Sequence, residues 1–163
     1  MATGLGFDIH RLGDGRPLLL GGLKVDHPRG LVGHSDGDVL LHAVIDALLG
    51  AAGEGDIGMY FPDQDPTIKG IASEKMLHRI LEDLVGWEIV NVDVTIVAEE
   101  PKLGKKKWDV ARNVSRLLGG APVNVKAKTA EGLGPVGHKE AIACLAVAEL
   151  KRKPRGKRKR AGS

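Results

Sequence analysis

Two short stretches bring together residue types able to hold a metal and a phosphate. Asp8 and His10 stand two apart in the segment Ala2 to His10, and in an extended strand residues i and i+2 point to the same side. His42 lies in His34 to Ala52, HSDGDVLLHAVIDALLGAA, where a polar cluster runs into an apolar helix. An aspartate and two histidines from two elements form a three-ligand set, leaving a fourth tetrahedral position for substrate, as in catalytic rather than structural zinc sites. D-x-H is by itself a common pattern, and a helical histidine is more often packed or solvated than ligating. The neighbourhood of His42 strengthens the reading. Ser35 followed by Asp38 fits a capping box, which places a helix N-terminus and its free N–H groups at Ser35, an end that attracts anions. Asp38, His42 and Asp46 then share one face, while Val39, Leu40, Ala43, Val44, Ala47 and Leu48 supply the buried side.

Two further groupings carry polar chemistry. In Glu54 to Pro66, rich in Gly, Asp and Pro, the carboxylates of Asp56 and Asp63 and the backbone of Gly58 could hold a sugar or a metal, or could simply form turns; the segment is expected to be an ordered loop without regular structure. Lys126, Lys128, Thr129 and Glu131 close a strand ahead of Gly132 and Gly134. Ammonium and hydroxyl donors beside a carboxylate suit a phosphate with a hard divalent ion, although a polar strand end has the same composition.

The elements that must position these groups follow from periodicity. Leu18 to Val25 reads as a hairpin around Gly21-Gly22. Ser73 to Leu84 has helical spacing with Ser73 as cap, Glu88 to Ala98 alternates and is β-branched, Trp108 to Leu118 is a helix, and Val123 to Thr129 is a strand. Pro101 to Lys107 is a basic turn and Ala130 to Gly137 a glycine-rich one. Ile142 to Leu150 is alanine-rich and fits a helix or a buried strand equally. The order of elements indicates α+β, with helices on one face of a small sheet.

Composition bounds the remainder. The chain has 163 residues and one cysteine, Cys144, which excludes an internal disulfide and a multi-cysteine zinc site. The start of the chain has no basic or apolar leader, and no run spans a bilayer, so a soluble, cytoplasmic protein with no membrane partner is expected. The net charge of +3 conceals two regions: positions 151–163 hold eight of the 24 Lys and Arg and no acid, leaving 16 basic against 21 acidic residues in 1–150, a body near −5. The expected organisation is one domain over 1–150 and a basic, disordered tail over 151–163. Nucleic acid is a conceivable partner only through that tail, and at 3% aromatic the chain is poor in stacking groups.

The blocks GFDIHRL (Gly6 to Leu12), HSDGDVLLHAVIDALLGA (His34 to Ala51), GDIGMYFPDQDP (Gly55 to Pro66), NVDVTIVAEEPKL (Asn91 to Leu103) and NVKAKTAEGLG (Asn124 to Gly134) occur in order. Together they resemble the 2-C-methyl-D-erythritol 2,4-cyclodiphosphate synthase family. The resemblance implies a ferredoxin-like layer with a mostly antiparallel sheet, a homotrimer whose sheets face the three-fold axis, active sites between subunits, and a last segment that is a strand. It also implies a zinc (or other transition metal) site at Asp8, His10 and His42, with Mg²⁺ or Mn²⁺ at Glu131. His34 and Ser35, with Asp56, Ile57 and Gly58 and the adjacent Phe61, Pro62, Asp63, Gln64 and Asp65, would meet the methylerythritol phosphate, and Ile9 would lie beside the metal ligands. Ala98, Pro101, Lys102, Leu103 and Gly104 would form the cytosine pocket, while Lys128, Thr129, Ala130 and Glu131 would contact the diphosphate, Thr129 and His34 supporting the transition state.

The implied reaction is metal-dependent ring closure of 4-diphosphocytidyl-methylerythritol 2-phosphate with loss of CMP, in non-mevalonate isoprenoid synthesis. Two alternatives stay open: a trimeric nucleic-acid-binding or scaffold protein acting through its tail, and a zinc phosphohydrolase using water. The chain departs from the family at Pro135 and His138, where an aromatic residue and an arginine usually line a phosphate-binding region of the central cavity, and at Lys105-Lys106, where Pro-His is common. The resemblance therefore does not carry isoprenoid diphosphate binding at that cavity over to this chain.

Overall fold

The computed structural model describes residues 1–154. Its main sheet has five strands in the order β4-β1-β7-β5-β6, built from β1 (Ala2–Gly13), β4 (Gly30–Leu31), β5 (Trp87–Val97), β6 (Val123–Lys128) and β7 (Ala141–Arg152). β1 runs antiparallel to β7, β7 to β5 and β1 to β4, whereas β5 and β6 are parallel. The parallel pair requires a crossover, supplied by helix α4 (Lys106–Leu117). The sheet is thus mixed but mostly antiparallel, as expected. Strands β2 (Leu18–Leu20) and β3 (Leu23–Val25) form the expected hairpin, its two-residue turn made by Gly21 and Gly22 at φ 62° and 79°, the left-handed conformation such turns demand.

Helix α1 (Val39–Ala52) is the centre of the core. Leu40, Leu41, Ile45, Leu48 and Leu49 are fully buried, and so are Val39, Ala43, Val44 and Ala47. The expected polar face is therefore internal: one side of α1 lies on the sheet, and His42 itself is buried against other elements. Contact with β1 occurs at Gly4 and Gly6, where an added Cβ would lie 2.1 Å from the Ala47 carbonyl oxygen and 1.9 Å from that of Ala43. Only glycine lets helix backbone rest on strand backbone this closely. That contact fixes the level of His42 against the residues that continue the same face of β1: Asp8, His10 and Leu12.

Five expectations about elements are corrected. The cap of α1 is Asp38, whose carboxylate accepts from the Leu41 amide; Ser35 lies outside the helix. Helix α3 (Ser73–Asp83) begins at Ser73, and Ala72 precedes it with no side-chain cap, so Ser73 is not the cap. Within Glu54 to Pro66 a one-turn helix, α2 (Ile57–Tyr60), is present, and within Ala130 to Gly137 another, α5 (Gly134–Gly137). Lys151 and Arg152 are not tail but the end of β7, opposite Glu88 and Trp87. The remaining tail expectation, over 155–163, falls outside the described residues. Ile142 to Leu150 is a strand, and no helix among the described residues is long and apolar enough to cross a membrane.

All helices with a buried stripe contribute it to one side of the sheet. Alternation leaves the other side bare. There Leu5 faces Val147 and Phe7 faces Leu145 across β1 and β7, and with Ile9 they form an apolar surface, Leu5 being 66% and Phe7 54% exposed. Cys144, opposite Asp8 on the inner side, is fully buried, and that burial raises its thiol pKa far above the usual range.

Candidate metal centre

Asp8, His10 and His42 converge as their spacing predicts. The Asp8 Oδ2 lies 2.8 Å from His10 Nε2 and 3.0 Å from His42 Nδ1, and the two imidazole nitrogens are 3.2 Å apart. Three donors on a tetrahedral ion with bonds near 2.0 Å would be separated by about 3.3 Å, so the set fits a transition-metal ion after a small expansion. Each ring also has its other nitrogen engaged. His10 Nδ1 donates to the Val32 carbonyl at 2.7 Å, which leaves Nε2 as the ligating atom. His42 Nε2 faces the hydroxyls of Ser35 and Ser73, each at 3.0 Å, which leaves Nδ1. The Ile9 amide donates to Asp8 Oδ1, so Oδ2 is the carboxylate oxygen turned to the imidazoles.

The electrostatics favour a cation. Burial opposes the charge on Asp8, but hydrogen bonds and attraction from His10 and His42 outweigh it and lower its pKa to about 2. Burial likewise opposes protonation of His10, and the Asp8 hydrogen bond, its charge and the Val32 carbonyl outweigh this, raising the pKa of His10. A fixed carboxylate charge beside two imidazoles is thus ready to exchange protons for a metal.

The cluster opens on a cleft of about 910 Å³ whose walls include His34, Ser35, Gly58, Phe61, Asp63 and Gln64. Ile57 and Asp65 line it as well. The loop from Gly33 to Ser35 is held from outside by Arg16, which donates to the carbonyls of Gly33 and Ser35. His34 is exposed, 3.8 Å from Asp63. The carboxylates of Asp56 and Asp65 are engaged in caps, Asp56 accepting from the Met59 amide and Asp65 from Thr67. Asp46 accepts from the Ile57 amide and ties α2 to α1. Ile9 belongs to the site through its backbone alone, because its side chain projects from the opposite side of the sheet.

The anion expected at the start of α1 is displaced. Asp38, fully buried, already fills that end, accepting from the amides of Gly21, Gly22 and Leu41; burial raises its pKa against these hydrogen bonds. The positive end of the helix is neutralised by the chain's own carboxylate.

A second set of expected residues lies apart from this cleft. Ala98, Pro101, Lys102, Leu103, Gly104, Lys128, Thr129, Ala130, Glu131, Pro135 and His138 are absent from its walls. They cluster past the ends of the parallel pair β5 and β6, where the Ala98 amide donates to the Lys128 carbonyl. Thr129 Oγ1 donates to Glu131 at 2.8 Å, and Glu99 accepts from the Ala130 and Gly132 amides. Leu103 is buried in the core, leaving only its backbone for a ligand. Lys126 leaves the phosphate grouping, because it is paired with Asp93 on the bare side of the sheet.

Asp36 and Ser73 carry no sequence signal as site residues. Ser73 looked like a cap, and nothing in the spacing relates either to a histidine 31 positions from Ser73. Arg16 and Glu99 carry no sequence signal either, since each works through backbone groups distant in the chain.

A partly buried Asp-His-His set at the mouth of a cleft, on an α+β layer, is an arrangement that suits a metal-dependent enzyme. A model of the YgbB family matches residues 1–151, and the chain belongs to that family. It is 52% identical over 154 residues to the 2-C-methyl-D-erythritol 2,4-cyclodiphosphate synthase of Bordetella avium, covering 92% of this chain and 95% of that protein. Among solved structures, the bifunctional IspDF from Campylobacter jejuni superposes with a TM-score of 0.88 at 42% identity, over 93% of this chain and 42% of that one. The CDP complex of IspF from Plasmodium falciparum superposes with a TM-score of 0.79 at 34% identity, over 93% and 96%.

Proposed function

We propose that the chain is a cytoplasmic cyclase converting 4-diphosphocytidyl-2-C-methyl-D-erythritol 2-phosphate to the 2,4-cyclodiphosphate and CMP. The observation that carries this reading is the convergence of Asp8, His10 and His42 at the mouth of a cleft walled by His34, Ser35, Gly58, Phe61, Asp63 and Gln64. The substrate brings its own nucleophile: its 2-phosphate oxygen bonds to the β-phosphorus, the bond from that phosphorus to the bridging oxygen breaks, and CMP leaves with that oxygen. No protein nucleophile is required.

Zinc held by Asp8, His10 and His42, and Mg²⁺ held by Glu131, would supply Lewis-acid polarisation and charge neutralisation on the diphosphate. The chain's residues fold the substrate and exclude water. Ser35 and His34 restrain the attacking phosphate, the backbone of Gly58 holds the sugar, and Lys128 and Thr129 meet the diphosphate. Preorganising a ring-closing pose can lower a barrier by about 7 to 11 kcal/mol.

The cytosine contacts at Ala98 and Pro101 to Gly104, with Thr129 and Glu131, are read as belonging to a neighbour's cleft. Support comes from their separation from the cleft of their own chain and from the bare apolar surface of Leu5, Phe7, Leu145 and Val147, which fits a homotrimer of ferredoxin-like layers with sheets inward. The domain is taken to end with β7 at Arg152, two residues beyond the expected boundary at 150, and the remaining tail as a solubilising extension. Incubation with the cytidyl substrate and Mg²⁺ should release CMP and the cyclic diphosphate. Zinc-loaded protein yielding neither product overturns the reading, and a linear product identifies a hydrolase instead.

A further inference from the structure

The outer nitrogen of His42 has two serine hydroxyls at 3.0 Å, and their surroundings distinguish them. Ser73 is fully buried. Its hydroxyl is in hydrogen-bond contact with Asp36 Oδ1, and its amide donates to Asp36 Oδ2 at 2.9 Å. An ionised carboxylate only accepts, so the Ser73 proton points to Asp36 and a Ser73 lone pair faces His42. Ser35, by contrast, accepts from the Gly37 amide at 3.1 Å and has no carboxylate to take its proton.

We propose that Ser73 and Asp36 are positioning residues for the cation site: a relay in which His42 Nε2–H donates to Ser73 Oγ and Ser73 Oγ–H donates to Asp36 fixes the tautomer that presents His42 Nδ1 to the metal. The inference rests on Asp8, His10 and His42 holding a cation. Three features make the relay rigid. Asp36 does for α3 what Ala72 cannot, accepting the Ser73 amide at the helix start. The Asp36 amide donates to the Ile71 carbonyl and the Gly70 amide to the His34 carbonyl, so the loop before α1 and the segment before α3 clamp each other. Asp36 Oδ1 also accepts from the Asp38 amide.

The relay divides the work of the two serines. With Nε2 carrying its hydrogen and that hydrogen directed to Ser73, the Ser35 hydroxyl has no acceptor on His42, and its proton is available to a ligand in the cleft that Ser35 lines. Ser73 therefore serves the metal and Ser35 the substrate. Groups that hold the outer nitrogen of a ligating histidine commonly affect metal affinity by about 10- to 100-fold.

The test uses the full chain, zinc competition against a chromophoric chelator, and the visible absorption of the cobalt-substituted protein. Ser73→Ala should weaken zinc binding by about tenfold or more and alter the cobalt spectrum. Asp36→Asn, which keeps an oxygen for the Ser73 amide but removes the charge, should weaken it less. Ser35→Ala should bind zinc like the parent while raising KM. Folded Ser73→Ala with parental zinc affinity and cobalt spectrum overturns the relay. If Ser73→Ala does not fold, Asp36→Asn decides, parental zinc binding again overturning it. Absence of zinc binding in the parent, or its retention in His42→Ala, overturns the site assignment itself.

Discussion

The cleft around Asp8 and His10 and the edge around Thr129 and Glu131 are built in opposite ways. In the cleft each candidate ligand has its second polar atom engaged within the same chain: His10 by Val32, His42 by serines and Asp8 by the Ile9 amide. At the edge, Thr129 and Glu131 mainly bond each other, Glu131 is exposed with φ 51°, and Glu99 holds only the backbone beneath them. A cation requires donors fixed before it arrives, because three ligands must meet within a few tenths of an ångström. If the edge meets a diphosphate across a subunit boundary, as proposed, its side chains can stay free until substrate and neighbour are in place. On that reading one chain holds a finished half-site and an unfinished one.

The contrast yields graded predictions. His42→Ala should have the largest effect, abolishing zinc retention and turnover, as checked by elemental analysis and product assay. Glu131→Ala should separate the halves most sharply, leaving zinc bound while lowering kcat by about a hundredfold, the scale for losing a group that stabilises developing charge. Gly6→Ala should disturb the cleft alone: a methyl 1.9 Å from the Ala43 carbonyl oxygen forces α1 off β1, costing about 1 to 3 kcal/mol in chemical denaturation and weakening zinc.

Acidity should also act on the finished half. Since the pKa of His10 is raised by Asp8, protons compete with zinc. Apparent zinc affinity should therefore rise with pH through neutrality and level off above the His10 range, changing by at most about tenfold per pH unit for each proton displaced. Zinc competition assays across pH 5.5 to about 8.5 would check the sign. The smallest effect is expected for Glu99→Gln, which weakens the hold on the Ala130 and Gly132 amides: a few-fold rise in KM with zinc unchanged.

The same division governs what the sequence disclosed. Asp8 and His10 were legible because strand period alone puts them on one side, and His42 because a helix follows directly. The start of α1 is ambiguous in the sequence because Ser35 and Asp38 both suit a cap, and burial against Gly21 and Gly22 decides for Asp38. Ser73 reads as a cap of its own helix because cap preference is local, whereas its partners Asp36 and His42 come from other segments. Ile142 to Leu150 was ambiguous because alanine fits either period; pairing with β1 and β5 on both sides settles it as a central strand. The role of Glu99 could not be read at all, because it acts on amides brought near by the parallel pairing of β5 with β6.

The buried thiol of Cys144 has a practical corollary. Being sealed beneath Asp8 and held strongly protonated, it should ignore maleimide reagents in folded protein. A single cysteine introduced at Lys102 could then carry a spin label with the native residue left in place, so that label-to-label distances would report how copies of the chain assemble.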